Sequence, residues 1–160
     1  RSNVGKSSLI NRLAGGKHAK VENRPGVTLT KQWVSTDIGL SLLDMPGVLW
    51  PKFDEKRVGE NLAATGAIRD QILDVEEVAM ILALRLAEVA PDLLAARYRL
   101  APGEYEDLDA YDLTELIGKK RGFLMAGGAV NFRRTAETLL DEFRSGKIGR
   151  ISLEKPKGAV

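Results

Sequence analysis

The first eight residues, Arg1–Ser8, constrain the fold of this chain more than any other stretch. They read R-S-N-V-G-K-S-S and match the end of the phosphate-loop pattern G-x-x-x-x-G-K-[ST], whose first glycine would stand one position before Arg1. In such a loop, backbone N–H groups and the positive end of the next helix surround phosphate oxygens. Gly5 lets the backbone approach the anion, Lys6 reaches the β- and γ-phosphates, and Ser7 offers a hydroxyl to Mg²⁺. The stretch predicts a nucleotide site, with a simple glycine-capped helix start as the alternative.

Composition narrows the class of protein. A chain of 160 residues with 44% apolar and 29% charged content is globular, with room for one medium or two small domains. No apolar run approaches about eighteen residues and no leader precedes the loop, so neither a membrane span nor a secretory signal is predicted. The absence of cysteine and the single histidine, His18, exclude a thiolate zinc site and a multi-histidine metal site.

The segment after the loop alternates between helix and strand patterns. Apolar residues at helical spacing, Leu9, Ile10 and Leu13, predict a helix opened by Ser7 that packs on a sheet and ends at Gly15-Gly16. Two strands, 31–36 and the more buried 40–43, flank a tight reversal at 37–39.

The second strand runs directly into Asp44-Met45-Pro46-Gly47, a D-x-x-G sequence. This position fits the switch II turn of GTP-binding proteins, where Asp44 would hold Mg²⁺ through water and the Gly47 N–H would report the γ-phosphate. Thr28 follows a Pro-Gly turn between the two motifs, where switch I places a metal-binding threonine. A turn that only resembles switch II is the alternative, but the order and spacing of the three motifs favour a GTPase.

Beyond Pro51 the pattern becomes helical. Five helices are predicted. The first covers 55–70, the second begins after an Asp74 cap, and the third begins at Pro91. The fourth lies around 113–117 and ends at Gly118, and the fifth begins after an Asn131 cap and ends at Gly146. The helical spacing of apolar residues is interrupted at 121–128. The predicted core includes Val58, Leu62, Ala63, Ile68, Val78, Ile81, Leu82, Leu84, Leu86, Leu113, Leu116, Ile117, Phe132, Ala136, Leu139, Leu140 and Phe143.

These motifs together resemble the circularly permuted GTPases of the ribosome biogenesis GTPase A (YlqF-like) group. The shared sequences are N-V-G-K-S-S-L-I-N-R-L from Asn3, R-P-G-V-T from Arg24, L-L-D-M-P-G-V-L-W-P from Leu42, T-G-A-I from Thr65 and K-R-G-F-L-M-A-G-G from Lys120. In that group the guanine-recognition motif N-K-x-D precedes the phosphate loop, and a helical domain closes the chain. N-K-x-D does not occur here, and two strands cannot make a full nucleotide-binding sheet. The chain is therefore expected to be a fragment without its amino-terminal part.

The resemblance implies an α/β fold class. Residues 1–60 would be the C-terminal part of a circularly permuted P-loop GTPase domain, with an incomplete doubly wound sheet and the G1, G2 and G3 motifs. Residues 61–152 would form an all-helical RNA- or ribosome-binding domain, and residues 153–160 a basic tail.

The resemblance also implies roles for single residues. The GTP-binding residues would be Asn3, Val4, Gly5, Lys6, Ser7, Ser8, Thr28 and Gly47, and the Mg²⁺ ligands would be Ser7, Thr28 and Asp44. Lys6 would be catalytic. Asn3 matches the asparagine that holds K⁺ in related potassium-activated GTPases, although it could equally serve to shape the loop.

Slow hydrolysis is expected from the residue after D-x-x-G. Val48 stands where many GTPases carry a water-positioning glutamine, and a valine forms no hydrogen bond with water. No general base is identified in the chain, because His18 lies in a different place from the proposed catalytic histidine of the family, which is upstream.

Expected partners are GTP or GDP and the large ribosomal subunit with its rRNA, bound by a cytoplasmic protein that is monomeric when intact. From Lys119 onward ten Lys or Arg face four acids, which fits an RNA surface as well as an ordinary solvated one. Candidate RNA contacts are Arg121, Arg133, Arg134, Lys147 and Arg150. Two other functions stay open: a nucleotide-dependent regulator with negligible hydrolysis, and a P-loop ATPase.

Overall fold

The computed structural model describes residues 5–17, 19, 30–36, 38–46, 56–68, 70 and 73–154. Contacts divide the chain into two compact units, Arg1–Ile72 and Leu73–Val160. The first contains α1 (Lys6–Leu13), β1 (Gln32–Ser35), β2 (Ser41–Asp44) and α2 (Lys56–Ala64). The second contains α3 (Val75–Val89), α4 (Pro91–Tyr98), α5 (Ala110–Lys120) and α6 (Phe132–Arg144). None of the helices in the described ranges has the length and apolar character that a membrane crossing requires. The domain bounds given above remain a prediction.

The two predicted strands form an antiparallel hairpin. Trp33 lies opposite Leu43, and Val34, which is buried, lies opposite Leu42. At the reversal the Gly39 N–H donates to the Thr36 carbonyl at 3.0 Å, with Gly39 at φ 78°, a conformation that glycine adopts without steric cost. Both strands and the turn between them are confirmed, and β2 delivers Asp44 to the end of the hairpin.

Helix α1 is confirmed, but the predicted packing of its apolar side is wrong for two residues. Leu9 and Leu13 are 60% and 46% exposed. The described part of the chain provides a two-stranded hairpin rather than a broad sheet, so it leaves this side of α1 uncovered. The helix ends at Gly15, as predicted, with the glycine in the left-handed region at φ 70°.

Helix α2 is shorter than the predicted helix over 55–70. The Ala67 N–H donates to the Leu62 carbonyl, and the Gly66 N–H donates to the Ala63 carbonyl. These two bonds, with Gly66 at φ 68°, form a Schellman cap that ends the helix. The predicted burial of Leu62 and Ala63 is confirmed, whereas Val58 lies at the exposed side.

The predicted starts of three helices in the second unit are confirmed. The Asp74 carboxylate accepts the N–H groups of Glu76 and Glu77 at 3.0 and 3.2 Å, and the Asn131 side chain accepts that of Arg134 at 3.0 Å. The Pro91 start of α4 is also confirmed. The apolar core of this unit includes Ala79, Leu82, Ala83, Leu86, Leu94, Leu113, Ile117, Ala136, Leu139 and Leu140. Leu84 is exposed, contrary to the prediction.

Helix α5 does not end at Gly118 as predicted but continues to Lys120. A Cβ at Gly118 would lie 2.4 Å from Val130 Cγ1 and 2.5 Å from Thr135 Oγ1, so this glycine allows close packing within the helical unit. Gly122, at φ 68°, ends the helix instead.

Helices α5 and α6 pack against each other in the second unit. Tyr111 stacks on Phe132 with 4.8 Å between the ring centroids, Gly118 lies against Thr135, and Arg121 pairs with Glu142 at 2.8 Å. The segment between the helices forms a short hairpin that contains an antiparallel bridge between Leu124 and Val130.

Candidate nucleotide-binding site

The start of α1 has the geometry of an anion-binding helix end. Gly5 precedes the helix at φ 83°, and the first helical hydrogen bond runs from the Leu9 N–H to the Gly5 carbonyl at 2.9 Å. The N–H groups of the first turn therefore point away from the body of the helix, toward the side from which a phosphate would approach. Lys6, the first helical residue, is half-buried, and Ser8 is exposed.

Ser7 and Asp44 meet across the first unit. The Ser7 hydroxyl donates to Asp44 Oδ2 at 2.8 Å, and Asp44, the last residue of β2, is 1% exposed. A buried carboxylate is costly unless hydrogen bonds compensate for lost water, so the Ser7 hydroxyl helps to hold it in place. The fold thus brings together two of the three predicted Mg²⁺ ligands, from motifs that are far apart in sequence.

The donor set suits Mg²⁺. Hydroxyl and carboxylate oxygens are hard ligands, and Mg²⁺ is usually held by one or two carboxylates together with water and substrate phosphates. Within the described ranges, no group of three or more His, Cys, Asp or Glu side chains could form a metal cage. Ser7 and Asp44 therefore fit a Mg²⁺ ion that also binds the phosphate oxygens of a nucleotide.

Several predicted site residues lie outside the described residues. They are Asn3, Val4, Thr28 and Gly47, together with Val48 and His18. Their predicted roles remain predictions.

Comparison with known proteins identifies the family. The model of a family described as 50S ribosome-binding GTPase matches residues 1–101, which is more than half of the chain. The chain belongs to this family.

Curated relatives agree with that assignment. Ribosome biogenesis GTPase A of Bacillus licheniformis is 48% identical over 155 residues, which is 97% of this chain and 54% of the relative. The protein of the same name from Priestia megaterium is 47% identical over 157 residues, 98% of this chain and 54% of its own. The chain therefore spans about half the length of these relatives. The resemblance to the ribosome biogenesis GTPase A group is confirmed.

A solved structure supports the fold. The GDP-bound structure of TM YlqF matches with a TM-score of 0.67 over 97% of this chain and 57% of that chain, at 24% identity. Together with the family match, this assigns Gly5–Ser8 and Asp44 to a P-loop GTPase domain.

The candidate RNA contacts of this family member differ in their surroundings. Three are paired with acids: Arg121 with Glu142, Arg133 with Glu137 at 2.6 Å, and Lys147 with Asp141 at 3.7 Å. Arg134 instead lies over the ring of Phe123, and Arg150 is exposed. Their role in RNA binding remains a prediction.

The sequence did not predict a buried carboxylate network in the helical unit. Glu142 is buried and accepts hydrogen bonds from Arg97 Nε at 3.0 Å and Nη2 at 2.5 Å, from the Tyr98 hydroxyl at 2.9 Å and from Arg121 Nη2 at 2.8 Å. Burial alone would raise the pKa of Glu142, but the hydrogen bonds from Arg97 and Tyr98 and the charges of both arginines hold that pKa below its ordinary value. Burial and the bond to Glu142 raise the pKa of Tyr98. One sequence signal could have indicated this burial. Glu142 lies three residues after Leu139 and therefore falls on the apolar face of α6.

Proposed function

We propose that the chain is the phosphate-binding and helical part of a GTPase that acts in late assembly of the large ribosomal subunit. The observation that carries the proposal is the contact at 2.8 Å between Ser7 of the phosphate loop and the buried Asp44 of the D-x-x-G motif. In GTPases these two positions meet at the metal beside the β- and γ-phosphates. The family match and the names of the relatives support the guanine nucleotide and the ribosomal partner.

Each residue of the site has a defined task in this proposal. Lys6 neutralises the β- and γ-phosphate oxygens, while Ser7 and Asp44 hold the metal end of the site. When bound, Mg²⁺ supplies positive charge for the phosphate oxygens during phosphoryl transfer. Thr28 completes the metal's surroundings, and the Gly47 N–H senses the γ-phosphate. The loop residues Asn3, Val4, Gly5 and Ser8 surround the phosphates.

The rate of hydrolysis is proposed to depend on the ribosome. Val48 forms no hydrogen bond with an attacking water, so intrinsic turnover is slow. A K⁺ ion held by Asn3 would add positive charge beside the phosphates. The same valine favours the second candidate function, a regulator that binds the nucleotide without appreciable hydrolysis.

The order of motifs supports a circularly permuted domain. The chain contains the phosphate loop and the D-x-x-G motif but no N-K-x-D, and it aligns with about half of each relative. We place the guanine-recognition motif before the phosphate loop in the intact protein, which we expect to be cytoplasmic and monomeric.

Hydrolysis by the intact protein, with and without large ribosomal subunits, tests this function. We expect GTP turnover to rise at least about tenfold with subunits and to be lost in Lys6→Ala, because no other group replaces the lysine charge at the phosphates. Lys17→Ala removes an exposed lysine just after α1 and serves as the matched control. Tight GTP binding without stimulated turnover would favour the regulator, and unchanged turnover in Lys6→Ala would contradict the site.

A further inference from the structure

The side chain of Asn11, in α1, is bound to the backbone of Ala19, which lies beyond the end of that helix. Its Nδ2 donates to the Ala19 carbonyl at 2.7 Å, and its Oδ1 accepts the Ala19 N–H at 2.6 Å. One amide side chain therefore pairs with both polar groups of one residue, as a partner residue does in an antiparallel sheet. Two such bonds fix the direction of the backbone at Ala19 as well as its position.

The turn after α1 is tied back to the helix at two points. The Asn11 carbonyl accepts the Gly16 N–H at 3.2 Å, and Gly15 lies in the left-handed region at φ 70°. Three residues after Gly16, the Asn11 side chain binds Ala19, which is 6% exposed. Water replaces a lost hydrogen bond poorly at a buried residue, so the Asn11 side chain holds Ala19 against the last turn of α1.

The other end of the same helix carries the metal end of the nucleotide site. Ser7 stands four residues before Asn11, so the two side chains lie on the same side of α1, one turn apart. Ser7 contacts Asp44 at 2.8 Å, and Asn11 contacts Ala19. Because the helix is a rigid spacer, it sets the position of Ala19 relative to Ser7 and Asp44.

Ala19 also precedes the stretch of sequence that carries Thr28, the predicted switch I ligand of Mg²⁺. Because Ala19 is fixed, the chain between the helix and the first residue of β1, Gln32, is reduced from 14–31 to 20–31. A shorter stretch between fixed ends loses less conformational entropy when one of its residues is placed on a ligand. In GTP-binding proteins, the γ-phosphate and its Mg²⁺ order this stretch, and loss of the γ-phosphate releases it.

We propose that Asn11 is a positioning residue for the triphosphate state. By fixing Ala19, it reduces the entropy that is lost when Thr28 is placed on the Mg²⁺ beside the γ-phosphate. The proposal rests on the function proposed above and adds that the preference for GTP over GDP depends on a side chain outside the phosphate loop. GDP lacks the γ-phosphate that orders the stretch, so the bond to Ala19 contributes little to GDP binding.

Binding of the intact protein to fluorescent GDP and to a fluorescent GTP analogue that cannot be hydrolysed, both with Mg²⁺, tests this role. Asn11→Ala removes both bonds to Ala19, and we expect it to weaken binding of the GTP analogue at least about fivefold. The longer stretch alone accounts for about a twofold loss, and the free direction of the backbone at Ala19 adds the rest. Affinity for GDP should change by less than about twofold, which also shows that the variant is folded.

Two further variants separate positioning from a general effect on α1. Asn11→Leu keeps a side chain of similar shape but has no group that could bind the Ala19 backbone, so it should show the same selective loss as Asn11→Ala. Arg12→Ala, at the exposed neighbouring position, should leave both affinities unchanged. Helix propensity does not account for the expected loss, because alanine favours a helix more than asparagine does.

The double variant Asn11→Ala with Thr28→Ala shows whether Asn11 acts through Thr28. Thr28→Ala alone should weaken binding of the GTP analogue, and Asn11→Ala should then add less than about twofold, because the residue that it positions is gone.

Three results would overturn this role of Asn11 and leave the proposed function standing. They are an additive loss in the double variant, equal losses of GDP and GTP-analogue binding in Asn11→Ala, and unchanged binding of both. Wild-type protein that binds neither nucleotide would refute the proposed function, and the role of Asn11 with it.

Discussion

Replacing Glu142 by glutamine removes the charge at the centre of the helical unit with almost no change in volume. Arg97 and Arg121 then lose their shared carboxylate, and the Tyr98 hydroxyl loses a charged acceptor. Dismantling a buried ion pair typically costs about 3–5 kcal/mol. Arg97 and Arg121 are 30% and 34% exposed and can regain water, so we expect a cost of about 2–3 kcal/mol.

Hydrogen exchange of the α6 backbone amides is the appropriate assay. The chain contains two units, so a single melting temperature would not isolate this one. The expected cost corresponds to exchange that is faster by about 30- to 140-fold for the amides that exchange through opening of the whole unit. Glu137→Gln, on the same helix and paired only at the surface with Arg133, should change exchange by about twofold at most. Similar effects of the two variants would refute the argument.

The same network predicts a pH dependence. The pKa of Glu142 is lowered in the folded protein, so its contribution to stability is present above the ordinary value of 4.5 and is lost as pH falls through the folded value. The difference in exchange between wild type and Glu142→Gln should therefore shrink as the pH falls below 4.5. A difference that stays constant into the acid range would contradict this role of the charge.

Three further changes test other parts of the structure. Gly118→Ala should destabilise the helical unit by about 1–3 kcal/mol, despite the better helix propensity of alanine, because the new methyl group meets Val130 and Thr135; faster α5 exchange would show it. Asp74→Ala should cost about 1 kcal/mol and speed exchange in the first turn of α3, and unchanged exchange would contradict the cap. Replacing K⁺ by Na⁺ should slow GTP hydrolysis in the intact protein and Asn3→Ala should remove the difference, whereas equal rates in both salts would leave Asn3 as a residue that shapes the loop.

Features that depend on a few neighbouring residues could be predicted from the sequence. Asp74 and Asn131 cap helices because their side chains reach the N–H groups two or three residues ahead. The Gly39 reversal likewise needs only local geometry. The phosphate loop and the D-x-x-G motif were recognisable for the same reason, and the two motifs predicted that Ser7 and Asp44 take part in one Mg²⁺ site.

Features that depend on packing between distant segments could not be predicted in this way. Gly118 was predicted to end a helix, but in the structure its lack of a side chain allows Thr135 to pack closely against α5. Periodicity showed which residues share a side of a helix, but not whether that side would be covered, as Leu9 and Leu84 show. The pairing of Arg121 with Glu142 joins the residue that follows α5 to a residue of α6. From the sequence alone, Arg121 could therefore not be distinguished from an exposed, unpaired arginine.

The central claim is that Ser7 and Asp44 form the metal end of a guanine-nucleotide phosphate site. Titration of the intact protein with fluorescent GTP, with and without Mg²⁺ and in competition with ATP, tests it most directly. We expect GTP to bind at least about tenfold more tightly with Mg²⁺ than without it, and ATP to compete weakly. Ser7→Ala and Asp44→Asn should each abolish most of the Mg²⁺ effect, while Ser41→Ala, at an exposed position of β2, should leave it intact. Equal binding of ATP, or an undiminished Mg²⁺ effect in a folded Asp44→Asn variant, would contradict the claim.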